Sequence, residues 1–230
     1  MTIEEAQRRL RVLASEEVRR GYARFGIPTE DAIGIGMSEL RKLAKDIGTD
    51  TSLALDLWDS AKYEARLLAG MIADPNVLSR DIADAWIAEF DNWATADTLC
   101  FDLLAFTPYR WDLAASLAHA EPEFQRRTCF ALVWALTRKD RDAPDEAFRE
   151  ALTWMERAAT DPRTYVWKAV DMALRATGKR NRLLHANALS LAERLAASPD
   201  RTAAKIGRSG MKDLSSSATE RRLARNARRG

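Results

Sequence analysis

Apolar residues recur along this chain at intervals of three and four, and no stretch alternates apolar with polar residues between hairpin turns. The pattern predicts an all-α protein. Residues 3–23 read as one amphipathic helix with Ile3, Ala6, Leu10, Leu13 and Val18 inward. A loop from Phe25 to Gly36 follows, punctuated by Gly26, Pro28 and Gly34. Its glycines are reminiscent of phosphate loops, but their spacing matches no such fingerprint. Ser38 is placed to cap the next helix, through Leu40, Leu43 and Ile47. Further helices are predicted over 52–58, 62–73, 80–90, 92–106, 110–118, 123–137, 145–160, 163–177, 182–197, 201–214 and 218–228. Prolines at 75, 108, 122, 144, 162 and 199 mark the breaks, since proline suits a helix's first turn and cannot continue one. Links this short imply antiparallel neighbours.

The helices repeat. Glu64-Ala65-Arg66-Leu67, Gln125-Arg126-Arg127-Thr128, Val166-Trp167-Lys168-Ala169 and Ala203-Ala204-Lys205-Ile206 each place a cation at one phase of the second helix of a pair. The spacings of 61, 41 and 37 residues fit one or two units of about 40, the period of HEAT-type helical pairs. Stacked pairs make a solenoid whose second helices line a concave face. That places Arg66, Arg127, Lys168 and Lys205 in a basic ladder, with Asp97 midway. Residues 1–215 are expected to form one repeat domain and residues 216–230 a basic C-terminal tail.

Charge sharpens this picture. Of 36 Lys+Arg and 34 Asp+Glu, 16 basic but only 5 acidic residues fall from Arg163 onward. A net charge of +2 thus hides an acidic first part and a basic last part, which suits a polyanion bound by the C-terminal half. Cations on a concave face fit a duplex backbone; many helical-repeat proteins use such faces for peptides instead, and the pattern leaves both open. Arg221, Arg222, Arg225, Arg228 and Arg229 crowd the last ten residues, where they read as a solvated or disordered arm adding non-specific affinity.

Candidate chemistry is sparse. Cys100 and Cys129 lie on apolar runs and read as buried thiols in a reducing compartment. With His119 and His185 as the only histidines, no zinc set is available. No run is long enough to span a membrane and no signal pattern opens the chain, so a cytoplasmic protein is expected. Trp93 and Asp97 stand at i and i+4, on one face if the segment is helical. The pair is read either as a surface Asp beside a packing Trp or as a site. One carboxylate beside aromatics and an Arg can serve N-glycosidic cleavage by stabilising an oxocarbenium-like sugar and positioning water. A leaving base that is already cationic departs neutral and needs no general acid.

The chain resembles the AlkD-like DNA alkylation repair family of HEAT-like repeat DNA glycosylases over roughly residues 21–214. The likeness rests on Tyr22-Ala23-Arg24-Phe25-Gly26-Ile27, Glu39-Leu40-Arg41-Lys42-Leu43-Ala44-Lys45, Leu57-Trp58 with Glu64-Ala65-Arg66, Asn92-Trp93-Ala94-Thr95-Ala96-Asp97, Gln125-Arg126-Arg127-Thr128, and Lys168-Ala169-Val170 with Ala173-Leu174-Arg175 and Gly178-Lys179-Arg180. It implies a monofunctional glycosylase, without metal or cofactor, removing cationic N3- and N7-alkylated purines from double-stranded DNA. By the family's motifs the catalytic Asp falls on Asp97, its partner Trp on Trp93 and the site Arg on Arg127, with Arg126 the neighbouring register. Arg66, Lys168, Met172, Arg175, Lys205 and Arg208 become candidate DNA contacts, and Lys179 and Arg180 further ones. Met172 stands where the family often has a second Trp, and a Met lacks the negative face of an indole. Trp167, five residues earlier, is expected on a different face. The family includes members that bind DNA without excising bases, so a non-catalytic binder of damaged or bent DNA is the alternative. A monomer is expected, associated with the nucleoid when DNA-bound.

Overall fold

The computed structural model describes residues 1–227, which contain helices and no strand. The chain divides into two compact units, Met1–Pro108 and a second beginning at Tyr109. The first holds α1 (Ile3–Val12), α2 (Glu16–Tyr22), α3 (Met37–Ile47), α4 (Thr51–Asp59), α5 (Tyr63–Ile72), α6 (Arg80–Ala88) and α7 (Trp93–Asp102), with 3-10 turns at Ala23–Phe25 and Leu104–Phe106. The second holds α8 (Arg110–Leu117), α9 (Glu123–Lys139), α10 (Asp145–Ala158), α11 (Thr164–Thr177), α12 (Arg182–Ala196), α13 (Arg201–Leu214) and α14 (Ser217–Ala227).

Consecutive helices pack as pairs at α4–α5 in the first unit and at α8–α9, α10–α11 and α12–α13 in the second. In the first, α5 is flanked by α3 and α7. In the second, α9, α11 and α13 run side by side as one layer, and α10 and α12 pack on each other as the other. The cores are aliphatic and aromatic. In the first unit the Trp58 and Trp86 rings stack with centroids 4.3 Å apart, joining α4 to α6. Phe130 and Phe148 are fully buried in the second; burying each such side chain stabilises by about 1.5–3 kcal/mol. Gly207 permits a close helix approach: a Cβ there would lie 2.1 Å from the Ala196 backbone nitrogen, so α12 and α13 meet backbone to backbone.

The N-terminal segment departs from expectation. Residues 3–23 do not form one helix; the chain breaks after Val12, and the Ser15 hydroxyl caps α2 by accepting from Val18 N–H at 3.3 Å. The reason lies in the loop. Ser15 N–H donates to Gly34 C=O at 2.8 Å, a donor that a continuous helix would have used internally. Gly34 sits at φ +89°, and a Cβ there would fall 2.2 Å from Ser15 O, so only glycine fits. Ser38 does not cap α3. Gly36 does, its carbonyl accepting from Glu39 and Leu40 N–H, while Ser38 lies exposed inside the first turn.

The C-terminal segment read as a tail is helical as far as Ala227, with Thr219 and Leu223 buried and Arg182 ion-paired to Glu220. Arg228 and Arg229, counted in that tail, lie outside the described residues.

Candidate nucleic-acid interface

In the first unit, the start of α7 is locally determined. Asn92, almost fully buried, accepts from Ala94 N–H (3.0 Å) and Thr95 N–H (2.9 Å) and donates to Asp91 and to the Thr95 hydroxyl. Such a cap is worth about 1 kcal/mol and fixes the helix start at Trp93. Ala94, Thr95, Ala96, Leu99 and Cys100 are buried, whereas Trp93, Asp97, Phe101 and Asp102 are half-buried. The expected i, i+4 pair therefore does share one partly open stripe, with Asp97 a turn beyond Trp93. The Trp93 indole N–H donates to Phe25 C=O at 2.8 Å, tying the stripe to the loop ahead of α3. At its far end Asp102 takes two hydrogen bonds from Arg41, at 2.8 and 3.2 Å.

That loop is held by a carboxylate to which the sequence reading gave no role. Glu64 is fully buried on α5. It accepts from the backbone N–H of Ile33 (2.7 Å), Gly34 (2.6 Å) and Ile35 (3.0 Å), and from the Tyr22 hydroxyl (3.0 Å). Burial, and then the Glu64 charge, push the Tyr22 phenol well above its usual pKa. Tyr22 leads directly into the 3-10 turn that carries Phe25. A chain of contacts thus runs from Glu64 through Tyr22 to the carbonyl that holds Trp93. No sequence motif announces a buried Glu at this position; its signal is contextual, an acid on the apolar face of a helix.

The predicted cations have very different surroundings. Arg66 is ion-paired to Glu89 and lies 5.0 Å from the Trp58 ring centre, and Trp58 itself donates to Glu89 at 3.1 Å. In the second unit Arg127 is buried on α9 and donates to Tyr165 C=O at 2.8 Å, at the start of α11. Arg126 pairs with Asp161 at 3.1 Å. Burial pushes the Asp161 carboxyl up, but hydrogen bonds from Arg163 and the charges of Arg163 and Arg126 outweigh it and hold it below its usual value. Arg175 pairs with Asp171 at 2.8 Å, as an i, i+4 bridge, and with Asp213 at 3.9 Å. Lys179 pairs with Asp213, and Arg180 donates to three backbone carbonyls. These side chains tie helices together. Met172 is half-buried and lines a cavity of about 220 Å³ with Trp134, Arg138 and Arg222 among others.

Lys168, Lys205 and Arg208 are the exposed members of the predicted set, and no carboxylate is within ion-pair distance of them among the described residues. Trp167, expected on a different face from Met172, lies against two of them: the Lys205 ammonium is 3.8 Å from its ring centre and the Lys168 ammonium 5.9 Å. Spacing along one helix did not reveal this, because Lys205 approaches from the neighbouring α13. The α13 surface also carries two cations not singled out from the sequence. Arg201, Lys205, Arg208 and Lys212 follow i, i+4, i+7, i+11 spacing, all are exposed, and none of them is in an ion pair among the described residues. They form one stripe along about 16 Å of helix. Their periodicity alone could have found them.

Neither histidine is set for catalysis: His119 is exposed, and His185 Nδ1 lies 3.0 Å from Gly178 C=O. Among the described residues no group of three or more His, Cys, Asp or Glu is placed to hold a metal ion, and no helix is long and apolar enough to cross a membrane.

A family model described as "DNA alkylation repair enzyme" matches residues 6–208. The fold is similar to a solved structure described as a new family of proteins related to the HEAT-like repeat DNA glycosylases with affinity for branched DNA structures. That match has a TM-score of 0.81 at 20% identity and covers 97% of this chain and 96% of the other. It shows the HEAT-like helical-repeat fold. A designed armadillo repeat protein in complex with the peptide (KR)4 matches more weakly, at TM-score 0.39 and 12% identity, over 83% of this chain and 80% of the other. No curated protein matches the sequence.

Proposed function

We propose that this chain, which belongs to the DNA alkylation repair enzyme family, grips double-stranded DNA through the second unit and hydrolyses the N-glycosidic bond of cationic N3- or N7-alkylated purines with Asp97. The observation that carries the grip is the α13 stripe of Arg201, Lys205, Arg208 and Lys212, four exposed cations without acidic partners among the described residues. One strand of B-DNA presents a phosphate about every 3.4 Å of axis, so about 16 Å of basic helix faces several of them. Lys168 extends the surface from α11, and Trp167 fixes Lys205 by a cation–π contact. Contacts of this kind position a duplex without reading its sequence.

For the chemistry, Asp97 and Trp93 offer a carboxylate and an indole on one half-buried stripe. As the bond from C1′ to the base breaks, its electron pair leaves with the base, which departs neutral. The positive charge on the sugar is stabilised by the Asp97 carboxylate. Water then bonds to C1′ and gives its proton to that carboxylate or to solvent. Trp93 packs beside the deoxyribose; Arg127, buried and donating to Tyr165 C=O, braces α9 against α11 and is no phosphate contact. The protein works as a cytoplasmic monomer, on the nucleoid when bound.

A second reading, binding without excision, is favoured by Met172 standing in a cavity rimmed by cations where the family often has Trp. The deciding experiment measures base release from duplexes carrying N7-methylguanine or N3-methyladenine, for wild type and Asp97→Asn, with a branched duplex as a binding substrate. Release by wild type and none by Asp97→Asn is expected, with duplex binding kept or strengthened because a negative charge is gone. Release that survives Asp97→Asn would refute this mechanism. No release by either, with salt-sensitive binding intact, would establish the non-catalytic reading.

A further inference from the structure

A cavity of about 450 Å³ opens in the second unit where the end of α9, the α9–α10 link, the residues after α11 and helix α14 meet. Five of its eight lining residues are cationic and none is acidic: Arg138, Arg141, Lys179, Arg180 and Arg222. Its neutral donors are already spent. The Thr137 hydroxyl donates to Trp134 C=O at 2.7 Å, the Asn181 amide to Asp145 at 2.8 and 3.0 Å, and the Asn226 amide to the carbonyls of Lys179 and Arg180.

Two of the cations are committed as well, in unequal ways. Lys179 is neutralised by Asp213. Arg180 lies 4.4 Å over the Phe148 ring and donates to the carbonyls of Asp140, Arg141 and Ala143, which orient its guanidinium without cancelling its charge. The acids that act on it from a distance are Asp145, Asp140 and Asp142. Asp145 is held by Asn181, and Asp140 by Arg110 and Trp111 at 2.7 and 3.0 Å. Arg138, Arg141 and Arg222 remain, with no carboxylate in ion-pair distance among the described residues. What this wall has to offer a ligand is therefore guanidinium, whose planar fork matches phosphate oxygens two at a time.

We propose that this cavity is a phosphate site, holding a phosphodiester of a bound nucleic-acid strand, with α14 as its outer wall. The assignment to a strand rests on the DNA-binding reading above; the phosphate site itself does not. Arg138 and Arg141 are exposed at the rim, so a continuous polymer can reach it. A second cavity shares Arg138, Lys179 and Arg222 with it and adds Trp134 and Met172, so that aromatic and thioether surface borders the phosphate position. The last helix then serves as part of a binding wall, whereas a loose arm would contribute only non-specific charge.

The test uses the full chain with Arg138, Arg141 and Arg222 all changed to Gln, and a matching variant with all three changed to Lys. Duplex affinity is measured from 50 to 200 mM salt, and inorganic pyrophosphate binding by calorimetry, with circular dichroism melts to establish folding. Each neutralised phosphate contributes about 0.9 to the slope of log affinity against log salt. The Gln variant is expected to lower that slope by about 1 and to lose pyrophosphate binding, while the Lys variant keeps both. An unchanged slope with pyrophosphate binding lost would overturn the strand assignment in favour of a free phosphate compound. An unchanged slope with no pyrophosphate binding by wild type would overturn the site altogether. If wild type binds no duplex, the DNA reading and the strand assignment fail together, and a pyrophosphate signal absent from the Gln variant still supports the cavity as a phosphate site.

Discussion

Replacing Glu64 with Gln tests whether one buried carboxylate organises the loop beneath the candidate site. Three backbone N–H groups and one hydroxyl converge on its two oxygens, at 2.6–3.0 Å. Oε1 takes Gly34, Ile35 and Tyr22, and Oε2 takes Ile33. A Gln oxygen can replace Oε1, but the three bonds it keeps lose their charge assistance, about 1 kcal/mol each. Its NH2 group then faces Ile33 N–H, donor against donor, leaving a buried amide unsatisfied at about 1–3 kcal/mol. Against this, a neutral side chain is cheaper to bury, which returns part of the loss. The expected net destabilisation is about 2–4 kcal/mol. Urea unfolding followed by far-UV circular dichroism measures it. Amide exchange at Ile33, Gly34 and Ile35, and exchange of the Trp93 indole proton, show where it acts. Protection should fall at all four, most at Ile33, because Ile33 loses its acceptor while Gly34, Ile35 and Tyr22 keep only a neutral one. A loss under 1 kcal/mol with these protons still protected would refute the argument.

Acid should separate Asp161 from its neighbours. Its folded pKa is depressed, so its contribution is present above the unfolded value, near 3.9, and is lost as pH falls through the folded value. Asp161→Asn should therefore melt below wild type at pH 7, and the gap should close in melts taken below about pH 4; a gap independent of pH would count against the Arg163–Asp161–Arg126 cluster as its source. Glycine substitutions should act in opposite directions at two positions. Gly207→Ala must push α13 off the α12 backbone and should cost more than about 2 kcal/mol, whereas Gly21→Ala, in a helix with nothing within 4 Å of the new methyl, should stabilise by about 0.5–1 kcal/mol. Denaturant titrations of both variants check this, and equal effects would show that the close approach is absent.

Where the fold was legible in the sequence, it was through features carried by a few consecutive residues. Asn92, Asp50, Ser79, Asn181 and Asp200 cap the helices that follow them, and Pro122 and Pro144 stand at the starts of α9 and α10. The break after Val12 was not legible, because its cause is Gly34, 19 residues beyond the Ser15 it binds. The α13 stripe could have been read, since periodicity is a local property; only Lys205 and Arg208 of its four cations were picked out.

The basic ladder shows why helix phase is a weaker guide to function than to fold. Phase says which side of a helix a cation occupies; it does not say what stands opposite. Glu89 is 23 residues from Arg66, Asp161 is 35 from Arg126, and Asp213 is 34 from Lys179. All three acids come from other turns or helices of the repeat, at separations too large for any local pattern. An ion-paired, partly buried Arg that moves onto a phosphate must leave its carboxylate behind, at a cost that offsets the new contact. An exposed Lys or Arg with no acid opposite it pays no such cost and gains the counterion release in full. By that criterion binding energy belongs with Lys168, Arg201, Lys205, Arg208 and Lys212, and with Arg138 and Arg141 at the rim of the α14 cavity. Substituting Lys205 and Arg208 with Gln should therefore lower the salt slope by nearly 2, whereas substituting Arg66 or Arg175 should lower thermal stability with little change in slope. The opposite ranking would mean that the paired arginines release their acids when DNA binds.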